Sequence, residues 1–585
     1  MVKKKSQEKS DSTFQFQIEN FNRKFLDPFT NLSSIGQGSL GGKAQGLVSI
    51  RRTLQVDFKP QDFPGIEVEI PRLIVICTDV FDNFMLDNHL FEIAESDSSI
   101  ERIGQTFQNS QLPLEVLGDL HALIEKVHSP LAIRSSSLLE DSTHSPFAGI
   151  YETKMIPNHQ YDPDERFQHL IEAIKYVYMS TFTQKAKEYR KLTGFSNHDE
   201  KMAVIIQEIA GQRYHNCFYP ELSGIARSYN YYPLKPAKPE EGVVSLALGL
   251  GKTIVDGGVA WVYSPAYPMA EFPYGSPKNL LDFSQTQFWA VNMSREIEYN
   301  PLEETEYLLL EELSTADRDG ALRYLASTYD AQSDRLLPGI SFNGPRALTF
   351  APLLVLKELP FNNLVKWVLK SCMKSLASPV EIEFAMTFNP HRFYLLQVRP
   401  MAVPSDEVSV TDNDLIGEKV LVSSEIVLGN GEEDNIRDIV YVKPENFDIL
   451  TTSSVVSELA ELNSNMLNLK KPYLLIVFGR LGTTNPTLGI PIRWEQVNGA
   501  KVIVETIQEQ FMVELSQGMH YFLNLINLGV KYFTLPVSSL FKIDWDWLSL
   551  QPVCEETKYL RHVVLSKPIH VKVDGRKGKG VIYKP

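Results

Sequence analysis

Two carboxylates, an amide and a guanidinium share one face of a predicted β-hairpin at residues 379–400. Two runs of alternating apolar residues flank an Asn-Pro-His turn there, which predicts two antiparallel strands. In this register Glu381 lies opposite Arg399, and Glu383 lies opposite Gln397. The other face is predicted to be apolar and to comprise Ile382, Phe384, Met386, Tyr394, Leu396 and Val398.

Carboxylates two positions apart on a strand are separated by about 7 Å. One or two hydrated Mg²⁺ ions and a phosphate chain can bridge that distance, because Mg²⁺ prefers oxygen ligands and keeps several waters. This face of the hairpin therefore indicates a site for a metal and a nucleotide. The alternative is a solvated sheet face on which acid and arginine form a cross-strand salt bridge.

A glycine-rich turn at residues 36–43 runs into a helical pattern at 44–51 and ends with Lys43. Glycines let the backbone approach a phosphate, a helix N-terminus favours anions, and Lys43 adds a positive charge. The spacing is not that of a Walker loop, and a flexible turn with a surface lysine is the alternative. Residues 246–253 are not a Walker loop either, because Leu246 stands where the first glycine is required, although this loop could still touch a nucleotide.

Arg134 is predicted to lie just past a buried strand at 130–133, beside three serines. An arginine there can fork onto a phosphate through two parallel hydrogen bonds. The polar loop that follows, residues 140–152, could close over such a site as a lid that excludes water. The alternative is an arginine that caps a helix C-terminus or pairs with Asp141.

The remaining candidates are isolated residues. His144 and His391 lie in predicted loops, where a lone histidine is more typical of a solvated residue than of a catalyst. In the C-terminal region, a glycine- and hydroxyl-rich loop at 478–491 carries Arg480, and a predicted helix further on carries His520. These could form an acceptor or effector site, with His520 as a phosphoryl acceptor. An ordered turn and a half-buried histidine are the alternative that we favour.

Composition and charge narrow the class of protein. The 585 residues allow three or four domains, and 43% hydrophobic and 22% charged residues are typical of an ordinary soluble protein. A net charge of −15 argues against broad binding of nucleic acid or anionic membranes. With no apolar segment of the roughly 18 residues that span a bilayer, and no signal peptide, a cytoplasmic protein is expected. The four cysteines are sparse and lack metal-ligand spacing, as in a reducing compartment: Cys77, Cys217, Cys372 and Cys554.

The predicted fold class is mixed α/β (α+β). Residues 1–13 are polar and predicted to be disordered, and residues 401–408 are the best candidate for a linker. A separate α/β domain of unknown role is predicted at 411–585. Strands are predicted near 71–78, 130–133, 243–247, 421–424, 439–442 and 473–478, and a helix at 167–192.

Together these motifs resemble the nucleotide-binding domain of phosphoenolpyruvate synthase and pyruvate phosphate dikinase. The resemblance extends over residues 34–400, nearly two thirds of the chain, and rests on the order and spacing of the whole set. It implies an ATP-grasp-type fold with two subdomains at residues 14–240 and 241–402, the second of which contains the hairpin. The motifs are Gly41-Gly-Lys43, Ile133-Arg-Ser-Ser136, Glu140-Asp141 with Phe147-Ala-Gly149 and Glu152, Ser223-Gly224, Gly249-Leu-Gly251, Glu381-x-Glu383 and Gln397-Val-Arg-Pro400.

The resemblance implies ATP and Mg²⁺ as cofactors and gives each candidate residue a role. Phosphoryl transfer needs positioning and charge neutralisation more than covalent chemistry, which agrees with this residue set. The implied roles are phosphate binding for Lys43 and Arg134, Mg²⁺ binding for Glu383 and Gln397 with Glu381 nearby, contact with the transferring phosphoryl group for Arg399, and adenine binding by backbone groups at a hinge that contains Gln207 and Ile209.

Complete members of this family pass the phosphoryl group to a histidine on a swivelling domain and then to pyruvate in a (β/α)₈ barrel. The sequence lacks the Thr-Ser/Cys-His-Ala-Ala-like motif of that histidine, and the 185 residues after Pro400 are too few for a swivelling domain and a barrel of about 250 residues. We therefore expect an ATP- and Mg²⁺-dependent phosphotransferase of the dikinase type. Its acceptor, a small molecule or a protein histidine, is unknown, and neither nucleic acid nor a membrane is expected as a partner. The alternatives are a regulatory module that binds ATP without turnover and a scaffold with a degenerate pocket.

Overall fold

A computed structural model describes most of the chain. The described residues are 18–23, 32–96, 98–137, 150–193, 200–230, 236–256, 258–269, 280–281, 284–294, 297–401, 408–482, 489–492, 496–507, 530–536 and 539–585. The predicted N-terminal tail, residues 140–149 of the predicted lid with His144, residues 402–407 of the predicted linker and the predicted helix with His520 lie outside these ranges.

A six-stranded sheet, here called the N-terminal sheet, forms the first wall of the molecule. One face lies in a large apolar core, to which four helices contribute most of the helical side chains. In spatial order its strands are Glu19–Asn20, Ser33–Ile35, Leu73–Ile76, Met202–Glu208, Leu131–Ser137 and Thr153–Ile156. The four helices are Thr78–Asp87, Ile100–Asn109, Leu114–Lys126 and Pro163–Ser180.

A second six-stranded sheet, here called the hairpin sheet, contains the predicted hairpin. Its apolar face packs against helix Phe361–Leu376 in a separate core. Two of its strands precede residue 240, so the predicted boundary between residues 240 and 241 does not follow the sheets. In spatial order the strands are Trp261–Tyr263, Val243–Ala247, Leu222–Arg227, Val380–Phe388, His391–Pro400 and Glu67–Glu69.

Helix Gly41–Asp57 ties the two sheets together. Its first turns bury Ala44 against the N-terminal sheet, and its later turns bury Leu54 in the core of the hairpin sheet. At Gly46 the helix approaches the backbone of Val398 so closely that an added Cβ would stand 2.4 Å from the carbonyl oxygen. The absence of a side chain at Gly46 thus sets the distance between helix and hairpin.

The hairpin register is as predicted at its polar end, with Glu381 opposite Arg399 and Glu383 opposite Gln397. Beyond this point a β-bulge shifts the register, so that Phe384 pairs with Leu395. The predicted positions of Tyr394 and Leu396 on the apolar face were therefore wrong, because Leu396 is an extra residue in its strand. The buried side chains on that face are Ile382, Phe384, Met386, Phe393, Leu395 and Val398.

Two further local predictions need correction. Arg134 lies in the middle of strand Leu131–Ser137 and not after its end, because pairing with Met202–Glu208 continues through the serines. The helix predicted at 167–192 is two helices, Pro163–Ser180 and Gln184–Thr193. The predicted strands at 243–247 and 473–478 have the predicted bounds.

Smaller elements complete the region before residue 401. A four-stranded sheet comprises Leu308–Glu312, Gln287–Asn292, Cys217–Tyr219 and Gln212–Tyr214, and a three-stranded sheet comprises Arg335–Pro338, Ala326–Asp330 and Arg346–Leu348. The other helices are Leu90–Glu95, Lys252–Val255, Leu313–Arg318 and Ala351–Leu354, with 3₁₀ turns at Pro60–Asp62 and Pro239–Glu241. Within the described ranges, no helix is both long and apolar enough to cross a bilayer.

The C-terminal region has three layers around a seven-stranded sheet, so the mixed α/β fold class is confirmed. Strand Tyr473–Phe478 is apolar throughout because helix Thr452–Asn468 covers one face of this sheet and a four-stranded sheet covers the other. The large sheet comprises Val427–Leu428, Lys531–Leu535, Ala500–Thr506, Tyr473–Phe478, Asp438–Val442, Leu560–Val564 and Val553–Glu556. The four-stranded sheet comprises Val420–Ser424, Lys579–Tyr583, His570–Asp574 and Gly431–Glu433, and Arg480–Leu481 pairs with Gly489–Ile490. Helix Trp545–Ser549 and 3₁₀ turns at Asp412–Leu415, Pro444–Asn446 and Ile449–Thr451 complete the region.

We predict that Gly46→Ala destabilises the protein by about 1–3 kcal/mol, because the methyl group would press on a backbone carbonyl that cannot move freely. Gly118→Ala is the matched control, since Gly118 is also helical but its Cβ would meet only the tip of the exposed Arg23 side chain. The control should be neutral or stabilising by up to about 1 kcal/mol. Urea denaturation of both variants checks this, and equal effects at the two positions would contradict it.

Candidate functional site

A cavity of about 400 Å³ lies between the N-terminal sheet and the hairpin sheet. Both sheets contribute polar side chains to its wall, and Gly482 of the C-terminal region also lines it. Glu381, one of the eight candidate site residues, is buried next to Arg399 instead of lining the cavity. The other seven all line it: Lys43, Arg134, Gln207, Ile209, Glu383, Gln397 and Arg399.

Arg134 joins the two sheets across this cavity. Its Nη2 donates to Glu383 Oε2 and to Gln397 Oε1, each at 2.7 Å. Its Nη1 donates to the Leu396 carbonyl oxygen at 3.1 Å and to Gln207 Oε1 at 3.3 Å. The guanidinium therefore holds the two predicted metal ligands and does not cap a helix.

Glu383 is the acid that faces this guanidinium. Burial raises its pKa, but attraction to Arg134 and Lys43 outweighs burial and the repulsion from Glu381, so the pKa lies below its ordinary value of 4.5. Glu383 is consequently ionised at neutral pH. It can accept charge-assisted hydrogen bonds or hold a cation.

Glu381 has a different environment from Glu383. It lies between two arginines, with Arg399 Nε at 2.8 Å from Oε1 and Arg227 Nε at 2.5 Å from Oε2. Sequence reasoning did not identify Arg227. A charged residue at the end of an otherwise apolar strand, Leu222–Arg227, is visible in the sequence. Its partner Glu381 is revealed only by the pairing of this strand with the hairpin.

The glycine-rich turn packs against the protein itself. Two of its N–H groups donate to the Asp79 carboxylate at 2.8 and 2.9 Å. Gly41 has a φ of 73°, and a Cβ there would stand 1.6 Å from the Ser136 carbonyl oxygen. The glycines thus permit close internal packing, and the expectation that this backbone cradles a phosphate is not supported. Lys43 does reach the cavity, where its Nζ donates to Ser135 Oγ at 3.0 Å.

Part of the cavity wall is apolar. Met155, Ile209, Leu250 and Leu308 pack together, and all four line the cavity. The N–H of Ile209 donates to the Pro130 carbonyl oxygen at 2.9 Å, so it is already engaged. This surface is suited to the flat face of an aromatic ring.

Two polar side chains in the wall have unused hydrogen-bonding atoms. Gln207 is 2% exposed and Ser223 is 1% exposed. Within the part of the chain that the structure describes, Gln207 Nε2 and Ser223 Oγ have no hydrogen-bond partner. Because buried polar atoms are nearly always paired with protein or water, these two offer hydrogen-bonding positions to a polar molecule in the cavity.

Further charged residues line the cavity at and near the loop 246–253. Lys252 begins a short helix, and its Nζ lies 2.8 Å from Glu304 and 3.0 Å from Asp256. Burial, together with repulsion from Glu304, raises the pKa of Glu152. Sequence reasoning assigned no role to Asp256 and Glu304, whereas Lys252 lies in the loop that could touch a nucleotide and Glu152 belongs to one of the family motifs.

His391, the histidine of the hairpin turn, contacts two neighbouring segments. His391 Nδ1 lies 3.2 Å from the Gly65 carbonyl oxygen, and Nε2 lies 3.3 Å from the Tyr324 hydroxyl. It therefore anchors the turn to neighbouring elements. Arg480 lies in the short strand Arg480–Leu481, and His144 and His520 are outside the described ranges.

The sequence is similar to a family model and to several known proteins. The family model described as pyruvate phosphate dikinase, AMP/ATP-binding domain, matches residues 37–419. An uncharacterised phosphotransferase of Bacillus subtilis is 29% identical over 191 residues, which are 32% of this chain and 20% of that protein. A phosphoenolpyruvate synthase of Aeropyrum pernix is 22% identical over 454 residues, 71% of this chain and 48% of that protein. A rifampicin phosphotransferase of Bacillus cereus is 30% identical over 149 residues, 25% of this chain and 14% of that protein. The chain thus spans less than half the length of each of these relatives.

We predict that Glu383→Gln lowers the free energy of unfolding by about 1.5–3 kcal/mol at pH 7, because a hydrogen-bonded ion pair with Arg134 is lost. The pKa of Glu383 in the folded state lies below 4.5, so the contribution of its charge is present above that pH and is lost as the pH falls through the folded-state pKa. The difference between wild type and variant should therefore shrink on acidification.

The matched control is Glu67→Gln, since Glu67 pairs with Arg392 on the same sheet but is largely exposed. This control should change stability by about 0–1 kcal/mol. Urea denaturation between pH 7 and pH 3 measures both. A cost for Glu383→Gln that does not depend on pH would rule out the ion pair as its source.

Proposed function

The chain belongs to the family of pyruvate phosphate dikinase AMP/ATP-binding domains, and from this premise we propose that it binds ATP with Mg²⁺ in the cavity and transfers a phosphoryl group to an acceptor. The observation that carries the proposal is the meeting of Arg134 and Lys43 with Glu383 and Gln397 in one cavity. Cations for a phosphate chain and oxygen ligands for a metal are thus side by side. The volume of about 400 Å³ is in the range of small-molecule sites.

Charge supports a polyanionic ligand. Around Glu383 the cavity wall carries three cationic side chains, Lys43, Arg134 and Arg399. Elsewhere in the wall, Lys185 and Lys252 are accompanied by four further carboxylates, those of Glu152, Glu208, Asp256 and Glu304. Arg399 is already neutralised in part by Glu381, which fixes its direction. A phosphate chain would balance the remaining positive charge, and guanidinium groups are well suited to phosphate oxygens.

The donor set also fits Mg²⁺. Glu383 and Gln397 offer a carboxylate and an amide oxygen on adjacent strands, and Mg²⁺ is commonly bound by few protein oxygens together with phosphates. When bound there, Mg²⁺ would supply charge neutralisation at the phosphates. Lys43 and Arg134 would position the phosphate chain, and Arg399 would stabilise the charge of the transferring group.

The apolar wall fits the base of the nucleotide. Met155, Leu250 and Leu308 would cover its faces. Since the Ile209 N–H is engaged, a backbone donor to a ring nitrogen would come from the next residue, Ala210, which also lines the cavity. The predicted adenine contact through backbone groups of this hinge would then include Ala210, next to Ile209.

Arg134 couples nucleotide and metal. In the described state its guanidinium occupies the oxygens of Glu383 and Gln397 that would hold the metal. A phosphate group offers Arg134 a new acceptor. When the guanidinium moves to the phosphate, the oxygens of Glu383 and Gln397 become available to the metal. Metal alone must compete with the guanidinium, so nucleotide and metal should favour each other's binding.

The second candidate is a regulatory module that binds ATP without turnover. The observation that favours it is the missing phosphohistidine motif in the 585 residues. It predicts Mg-ATP stabilisation without product. The relatives named as phosphotransferases favour the first candidate.

We predict that Glu383→Gln and Arg134→Gln each lower Mg²⁺-dependent turnover of ATP at least about a hundredfold, because each removes one charged contact to the metal or phosphates. Arg392→Gln, which breaks an exposed pair on the same sheet, should retain wild-type turnover. Chromatographic detection of ADP and AMP, with purified protein alone and with cell extract, measures this. ATP stabilisation of the wild type without any product would favour the regulatory module.

We also predict that Arg134→Gln binds Mn²⁺ more tightly than the wild type in the absence of nucleotide, about tenfold, because the competing guanidinium is gone. The same variant should bind ATP more weakly. Titration calorimetry with Mn²⁺ alone and with ATP alone checks both. Weaker binding of both ligands would show that Arg134 does not compete for the metal site.

A further inference from the structure

A row of three charged residues crosses the hairpin sheet next to the cavity. Arg227, Glu381 and Arg399 are directly opposite one another on three adjacent strands, Leu222–Arg227, Val380–Phe388 and His391–Pro400. Directly opposite residues on a sheet share a face, so the three side chains lie in one line. All three are less than a tenth exposed.

Each oxygen of Glu381 is committed to a different arginine. Oε2 accepts from Arg227 Nε at 2.5 Å, while Oε1 accepts from Arg399 Nε at 2.8 Å and lies 2.5 Å from Arg399 Nη2. Arg399 lines the cavity, whereas Arg227 is not among the described residues that do. Glu381 therefore links Arg227 to a residue of the cavity wall.

Glu383 contrasts with Glu381 although they are two positions apart on one strand and share a face. Its partner Arg134 has alternative acceptors in Gln207 and the Leu396 carbonyl, so Arg134 can leave the acid without becoming unpaired. Both arginines of Glu381 are buried with it, so this acid is held from two sides in the interior of the sheet. Of the two acids, Glu383 alone is thus poised to take a cation.

We propose that Arg227 is a positioning residue that withholds Glu381 from the metal, so that the site binds one divalent ion, on Glu383 and Gln397, in place of two. This rests on the proposed function, since it concerns the metal that accompanies the nucleotide. Without Arg227, Oε2 of Glu381 would lose its arginine donor. Glu381 is about 7 Å from Glu383, a separation that two hydrated ions on one phosphate chain can bridge.

Charge balance makes Arg227 a suitable position for the test. Removing Glu381 would leave two buried guanidinium groups side by side, which is strongly destabilising. Removing Arg227 leaves Glu381 and Arg399 as a neutral pair. Arg227→Met, which keeps an unbranched side chain, is therefore the informative variant.

The experiment counts Mn²⁺ ions by electron paramagnetic resonance of the full chain with β,γ-imido-ATP. The wild type should bind one Mn²⁺ per nucleotide, and Arg227→Met should bind two, with the second at least tenfold tighter than any second ion in the wild type. Arg227→Lys, which retains a cation for Glu381, should restore one. Adding Glu381→Gln to Arg227→Met should also return the count to one, because Glu381 would be the ligand of the added ion.

Arg392→Met is the matched control, since Arg392 pairs with Glu67 on the same sheet outside the cavity. It should bind one Mn²⁺. Two ions in the wild type, or one ion of unchanged affinity in Arg227→Met, would overturn the proposal while leaving the nucleotide site intact. If Arg227→Met does not fold, Arg227→Gln, which removes the charge but keeps a polar side chain, replaces it with the same expected count of two. A wild type that binds neither nucleotide nor Mn²⁺ would instead overturn the proposed function, and this inference with it.

Discussion

The contact between Arg134 and Glu383 is the interaction on which the site depends. Arg134 belongs to the N-terminal sheet and Glu383 to the hairpin sheet, so their ion pair spans the cavity from wall to wall. It keeps Glu383 ionised in spite of burial, and it holds the positive charge near the oxygens that a metal would need. A ligand that separates this ion pair must therefore supply an anion to Arg134 and a cation to Glu383. A phosphate chain with its metal would supply both.

A β-bulge gives this contact its geometry. The extra residue Leu396 breaks the pairing next to Glu383, and its carbonyl oxygen accepts a hydrogen bond from Arg134. The bulge also brings the Leu396 side chain to the cavity wall. Bulges commonly redirect side chains beside functional sites. Here one residue inserted in a strand supplies both an acceptor for the guanidinium and a piece of apolar wall.

Much of the polar site followed from the sequence because strand alternation and turn chemistry are local. The pairs Glu381–Arg399 and Glu383–Gln397 were predicted from the hairpin alone and are confirmed. The bulge could not be predicted, since alternation of apolar residues continues through Leu396. Arg227 was missed for a related reason. Its partner is set by the pairing of strands that are more than 150 positions apart, which no local pattern records. The glycine-rich turn was ambiguous for a different reason, because glycines required for close packing on Ser136 look in sequence like glycines required for a phosphate.

The most direct measurement is a crystal structure of the protein with β,γ-imido-ATP and Mg²⁺. The account predicts nucleotide in the cavity, with phosphates on Lys43 and Arg134, Mg²⁺ on Glu383 and Gln397, and the Arg134–Glu383 hydrogen bond broken. Glu381 should stay bound to both of its arginines. Nucleotide bound elsewhere, or bound in the cavity with the Arg134–Glu383 hydrogen bond intact and no metal on Glu383, would contradict it.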